Sequence, residues 1–174
     1  MPRNNLKILA IDPGTREMGF ALLEADRLIY HGVKTLRKRR SPNEALREGR
    51  KIILRLIKDL KPDILAVEKA FFYNNRSAAL LNVFVDEIKT IAKRKGLRFL
   101  SFSPSTVKKF IAKNGWARKQ EVAKVIASKY PELKVYLTQD RGWKERFHLN
   151  MFDAIALALV AAKYVKTRNV YKAR

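Results

Sequence analysis

The chain has 174 residues, 47% of them hydrophobic, which suits one folded domain with a sizeable core and excludes a disordered polymer. It contains no cysteine, so disulfide frameworks and thiolate metal sites are excluded. The 38 Lys and Arg against 16 Asp and Glu leave a net charge of +22, spread from end to end, and such a field attracts polyanions, nucleic acid before any other.

In chain order, residues 7–11 form a short apolar run entering the turn Asp12-Pro13-Gly14, a strand and its exit. Residues 20–23 and 28–33 read as two further strands, with a polar hairpin turn over 24–27, so the three predict an antiparallel meander. Ser41-Pro42-Asn43-Glu44 is a capped helix start, and Ile53, Leu56, Ile57 and Leu60 keep helical spacing to about residue 60. Lys61-Pro62-Asp63 breaks that helix, and residues 64–67 predict a buried strand ending at Glu68. A loop over 71–76 leads to an amphipathic helix over 77–95, closed by Gly96, and 97–102 gives a fifth strand.

Pro104 opens a short helix to about residue 113, Asn114-Gly115 turns the chain, and 118–129 is helical up to Pro131. Residues 133–146 show no period and predict a mobile loop, followed by a last helix over 149–166 and a basic tail over 167–174. The longest apolar stretch, 154–162, is too short to cross a bilayer, and no signal-peptide pattern opens the chain. The basic residues are interleaved with the α/β pattern instead of lying on one amphipathic helix, which argues against a membrane surface. The expectation is a single α/β domain over 1–174 with a mixed sheet, working in the cytoplasm in association with the nucleoid.

Three acids stand out because acids are scarce. Asp12 and Glu68 each end a strand, where the first can also serve as an ordinary Asp-Pro-Gly turn residue and the second as a solvated strand end. Asp153 precedes Ala154-Ile155-Ala156-Leu157-Ala158-Leu159-Val160, apolar on nearly every helical face. It is either a ligand or part of a cap with Asn150 as N-cap. Together the three acids would form a self-repelling pocket unless cations occupy it. Hard oxygen donors suit Mg²⁺ or Mn²⁺, and two such ions can activate a water and stabilise a leaving oxygen at phosphorus.

Four motifs in order then carry a resemblance: Ile11-Asp12-Pro13-Gly14 with Gly19; Ala66-Val67-Glu68-Lys69-Ala70-Phe71; Ser103-Pro104-Ser105-Thr106-Val107-Lys108 with Ala117-Arg118-Lys119; and Asp153-Ala154-Ile155-Ala156-Leu157-Ala158. Over residues 8 to about 162 the chain resembles the RuvC Holliday-junction resolvases, dimeric nucleases of the RNase H-like fold. The resemblance implies a five-stranded mixed sheet, antiparallel across its first three strands and parallel beyond, flanked by helices. It implies a homodimer that nicks two opposed strands of a four-way DNA junction in recombination and repair, leaving 5′-phosphates. Asp12, Glu68 and Asp153 would be the metal-binding catalytic acids, and Lys108 and Lys119 would lie near the DNA and the scissile phosphate. Phe71 matches an aromatic that stacks on unpaired bases at the junction centre. Phe72, Tyr73 and Arg76 share its loop, and aromatics beside basic residues are themselves stacking platforms.

The chain departs from that pattern in three places. The family's fourth ligand, Asp or His three residues before the last aspartate, is here Asn150, with His148 two residues earlier. An Asn oxygen can bind a hard cation but brings no charge. Asn82-Val83-Phe84-Val85-Asp86-Glu87 replaces the small and basic residues usual in the dimer-forming helix, and the long loop over residues 133–146, with Trp143, is unusual as well. These departures leave open a less selective branched-DNA nuclease, or a non-catalytic structure-specific DNA binder of the same fold. Sequence preference and any partner motor are left open as well.

Overall fold

The computed structural model describes residues 5–36, 41–69, 76–139 and 141–172. The elements are β1 (Lys7–Asp12), β2 (Glu17–Glu24), β3 (Arg27–Thr35), α1 (Pro42–Leu60), β4 (Ile64–Glu68), α2 (Arg76–Arg94) and β5 (Arg98–Phe102). They continue with α3 (Pro104–Ala112), α4 (Lys119–Lys129), a 3-10 helix (Pro131–Tyr136) and α5 (Gly142–Lys172). The strands form one sheet in the order β3-β2-β1-β4-β5, antiparallel across β3, β2 and β1 and parallel across β1, β4 and β5. This is the mixed sheet expected from the sequence, with tight turns linking the antiparallel strands and helices linking the parallel ones.

Successive side chains of a strand point to opposite faces, and each face has its own core. On one, Leu9, Ile11, Phe20, Leu22, Leu65 and Val67 pack with Ile53, Leu56 and Ile57 of α1 and with Phe84, Ile88 and Ile91 of α2. On the other, Ile8, Ala10, Ala21, Leu23, Ile64 and Ala66 meet α5, which is backed in turn by α3 and α4. Small residues, Ala10, Gly19, Ala21 and Ala66, lie among the larger ones of the second face, so α5 comes very close to the strands there. A Cβ on Gly19 would come within 1.9 Å of the Asn150 carbonyl oxygen. Enclosed by sheet and helices, α5 is apolar on nearly every side from Ala154 to Ala158 not to anchor in lipid but because it is a core helix, with Ala154, Ile155, Ala156, Leu157 and Ala158 fully buried.

Several helix ends form where the sequence places them. Ser41 Oγ accepts from the Glu44 N–H at 3.3 Å, and Lys61 closes α1 in the left-handed region at φ 49°. Ser103 caps α3 in the same way, its Oγ accepting from the Thr106 N–H at 3.2 Å.

Three expectations are corrected. The predicted loop over 133–146 is the 3-10 helix followed by the first turn of α5. Arg141, Gly142, Trp143 and Arg146 face solvent there, so no apolar period marks the helix, although Leu133 and Leu149 on either side are buried. At the other end α5 runs on to Lys172, so residues 167–172 of the stretch read as a basic tail continue the helix. Third, by length and composition the 142–168 part of α5 is apolar enough to cross a bilayer. The apolar run of the sequence is shorter than the helix that carries it, and 67% of the qualifying window is buried inside the fold. Phe71, Phe72 and Tyr73 lie outside the described residues, and Arg76 is the first residue of α2.

Candidate active site

Strand alternation decides where the acids point. Asp12 follows Ile8 and Ala10 in step, and Glu68 follows Ile64 and Ala66, so both carboxylates belong to the face covered by α5. The parallel pairing aligns Ile11 with Val67, which brings Asp12 and Glu68 side by side at the carboxyl ends of adjacent strands. Asp153 comes down from α5, its side chain 15% exposed, and accepts a hydrogen bond from Lys119 Nζ. Lys119 is the first residue of α4, behind Arg118. Four elements thus converge on one acidic pocket.

Two alternatives left open by the sequence are now closed. Asp153 is not a cap, because α5 begins at Gly142 and Asp153 sits deep in its interior. Among the described residues the Asp12 carboxylate makes no hydrogen bond within its turn, as an Asp-turn residue would. Its backbone instead continues the β1 ladder opposite Gly19. The loop beyond it is tight, and a Cβ on Gly14 would meet the Glu17 carbonyl oxygen at 2.1 Å.

The electrostatics bear the mark of a site short of positive charge. Burial, then the neighbouring charges of Asp153 and Glu68, push the Asp12 carboxyl well above its ordinary range, against a lowering by Lys119. Glu68 is raised to about 7, first by burial and then by Asp153, with Lys119 and Lys108 pulling the other way. Burial alone would lower the Lys119 ammonium, but Asp153, Asp12 and Glu68 together raise it. Lys119 is therefore held as a cation among three acids, and Lys108 of α3 acts on Glu68 from a further side.

Oxygen donors only, a shortage of positive charge and an ammonium already lodged among the carboxylates fit a hard divalent cation. Among the described residues no three acidic or histidine side chains close on one coordination point in this arrangement, in which Lys119 engages Asp153.

Asn150 and His148 separate clearly. Asn150 precedes Asp153 by three positions, about 60° around the helix, whereas His148 lies about 140° away. His148 turns its ring onto Tyr136, 4.7 Å between centroids, and its pKa is lowered by burial alone. Asn150 Nδ2 donates to Glu17 Oε2 at 2.9 Å. Sequence reasoning missed Glu17, which looks like an ordinary charged residue before a strand. Its signal was the period of two, which sets it on the face of Gly19 and Ala21, towards α5.

Strand-end carboxylates joined by an acid from a crossing helix, with lysines among them, on an RNase H-like mixed sheet, define the nuclease class of this fold. The chain belongs to the RuvC family: the family model for the crossover junction endodeoxyribonuclease RuvC matches residues 8–160. It is 32% identical to the RuvC of Thermosipho melanesiensis over 126 residues, covering 70% of this chain and 80% of that one. It is 30% identical to the RuvC of Helicobacter hepaticus over 176 residues, covering 95% and 88%. The fold matches Thermus thermophilus RuvC in complex with a Holliday junction substrate at a TM-score of 0.71, with 21% identity and coverage of 93% of this chain and 96% of that one.

Proposed function

We propose that the chain is an endonuclease that resolves four-way DNA junctions by paired nicks, with Asp12, Glu68 and Asp153 as its divalent-cation ligands. The observation that carries this reading is the set of three carboxylates from β1, β4 and α5 whose crowding raises Asp12 and Glu68 and draws in Lys119. When bound, Mg²⁺ ions, two per site and replaceable by Mn²⁺, supply the positive charge that makes a water nucleophilic and stabilises the leaving oxygen. Asp12, Glu68 and Asp153 bind and orient. Asn150 adds a neutral oxygen, its amide nitrogen being held by Glu17. Lys119, released from Asp153, stabilises charge developing on the scissile phosphate, and Lys108 holds the DNA backbone beside it. Phe71, Phe72, Tyr73 and Arg76 serve the unpaired bases of the junction.

The product of each nick carries a 5′-phosphate. Two opposed nicks need two sites related by a two-fold axis, so the working form is a homodimer. Its setting is the cytoplasm, on the nucleoid, where recombination intermediates arise.

The test is Asp12→Asn on a labelled four-way junction in Mg²⁺. Cleavage falls roughly 100- to 1000-fold, on the order of what a lost electrostatic stabiliser costs, while junction binding persists. Undiminished cleavage removes the proposed site. Three-way and linear duplexes run alongside are cut far more slowly, and equal rates on all three remove the junction preference.

A further inference from the structure

Among the large apolar side chains that belong to neither core, one stands out. Trp116 is 93% exposed, the most exposed large hydrophobic residue among those described. It stands at the corner between α3 and α4, three positions before Lys119. The corner is held from several directions. The Trp116 N–H donates to Asn114 Oδ1 at 2.9 Å, and the Ala117 N–H donates to the Asn114 carbonyl at 3.2 Å. Ala117, next in sequence, is 2% exposed in the core beneath α5, and Gly115 packs against Ser105 of α3. An indole on a fixed corner is presented, not merely left over.

The surroundings say to what it is presented. Lys109, Lys113 and Arg118 are exposed around the corner, and Lys119 reaches from it into the acid pocket. The one acid in the turn that follows, Glu121, is occupied by the Arg118 N–H at 2.5 Å. A cationic rim around a bare aromatic face is the arrangement that binds the backbone of a nucleic acid strand and stacks its bases. Three residues span at most about 11 Å, so the indole stays within a few nucleotides of whatever phosphate Lys119 meets.

We propose that Trp116 is a stacking platform for a nucleobase of the strand being cut, next to the phosphate that Lys119 faces. This rests on the junction-cleaving reading of the acid site and adds to it a recognition element at the corner between α3 and α4. Stacking is tolerant of base identity, so the platform selects unstacked bases, as found at a branch, over continuous duplex.

The chain has two tryptophans, so Trp143→Phe leaves Trp116 as its sole indole. That protein is titrated with an unlabelled four-way junction in EDTA, following indole emission, and binding is measured separately by anisotropy of a labelled junction. The expected result is strong quenching of Trp116 at saturation and protection from acrylamide. Trp116→Ala weakens junction binding about tenfold, the size of one lost base stack, whereas Trp116→Phe keeps most of the affinity. The salt dependence of binding keeps its slope in both variants, because no phosphate contact is lost.

Junction binding without any change in Trp116 emission, together with full affinity in Trp116→Ala, overturns the platform and leaves the nuclease reading standing. Protection of Trp116 that grows with protein concentration in the absence of DNA also overturns it, making the indole a protein contact. Failure of the wild-type protein to bind the junction overturns both readings together.

Discussion

The two faces of the sheet are made by the same strands, yet they have opposite compositions. Towards α1 and α2 the strands present Leu9, Ile11, Phe20, Leu22, Leu65 and Val67, large side chains that fill a thick apolar layer. Towards α5 they present Ile8, Leu23 and Ile64 near one end, then the small residues Ala10, Gly19, Ala21 and Ala66, and finally the acids Asp12 and Glu68. The first face gains its stability from volume. The second gives up volume so that a helix can approach until its backbone meets the strand, which lets Asp153 reach the strand ends. The difference teaches that small residues in this core act as spacers that set the distance between carboxylates, and spacers of that kind are tested through activity as much as through stability.

The largest effect is expected of Gly19→Ala. Its new Cβ would sit 1.9 Å from the Asn150 carbonyl oxygen, which is backbone and cannot rotate away, so α5 must move and take Asp153 with it. Overpacking of this kind costs about 1–3 kcal/mol of stability. A displacement near 1 Å between catalytic groups costs cleavage roughly 100-fold. Thermal midpoint and single-turnover cleavage, measured on the same preparation, give both numbers. A fully active, fully stable Gly19→Ala protein would show that helix proximity does not set the site.

Leu65→Ala is the matching change on the other face. Leu65 is fully buried against α1 and α2, and its neighbour Ala66 is fully buried against α5. Removing the Leu65 side chain is expected to cost about 2–5 kcal/mol of stability, measured by denaturant unfolding. The cleavage rate per folded molecule stays near wild type, because no acid sits on that face. A rate loss much larger than the loss of folded protein would mean that the two faces are mechanically coupled.

How much of this was legible beforehand follows from what periodicity can and cannot carry. The five strands and most helix starts were readable because apolar spacing and capping residues such as Ser41 act locally. Asp12 and Glu68 were readable as strand ends, and ordered motifs joined them to Asp153 and Lys119. The first turns of α5 were not readable, since Gly142, Trp143 and Arg146 face water and a helix without a buried stripe leaves no period. That one omission kept the capping explanation of Asp153 alive. The partnership of Glu17 with Asn150 depends on a pairing 133 residues apart in sequence, which no local signal encodes. Trp116 went unremarked for the opposite reason: a lone aromatic in a turn has meaning only once its exposure is known.

The smallest expected effect concerns the charge balance that separates the faces. Glu68 has its pKa raised by burial and by Asp153 from 4.5 to about 7, so between those values the folded protein holds a proton that the unfolded chain has lost. Stability therefore falls as pH rises through this window, and the loss is complete above about pH 7. His31 and His148 oppose it, because burial lowers both and their contribution grows as pH rises up to the ordinary histidine value, above which it is complete. The difference in thermal midpoint between wild type and Glu68→Gln, followed in EDTA from pH 5 to 8, cancels the histidines and isolates the carboxylate. Glu68→Gln is expected to gain on wild type from pH 5 to about 7 and to hold that gain up to pH 8. Mg²⁺ closes the gap at pH 8 by stabilising only the protein that keeps the charge. A gap that stays flat with pH, or that Mg²⁺ leaves unchanged, would mean that repulsion among the acids is relieved by Lys119 alone.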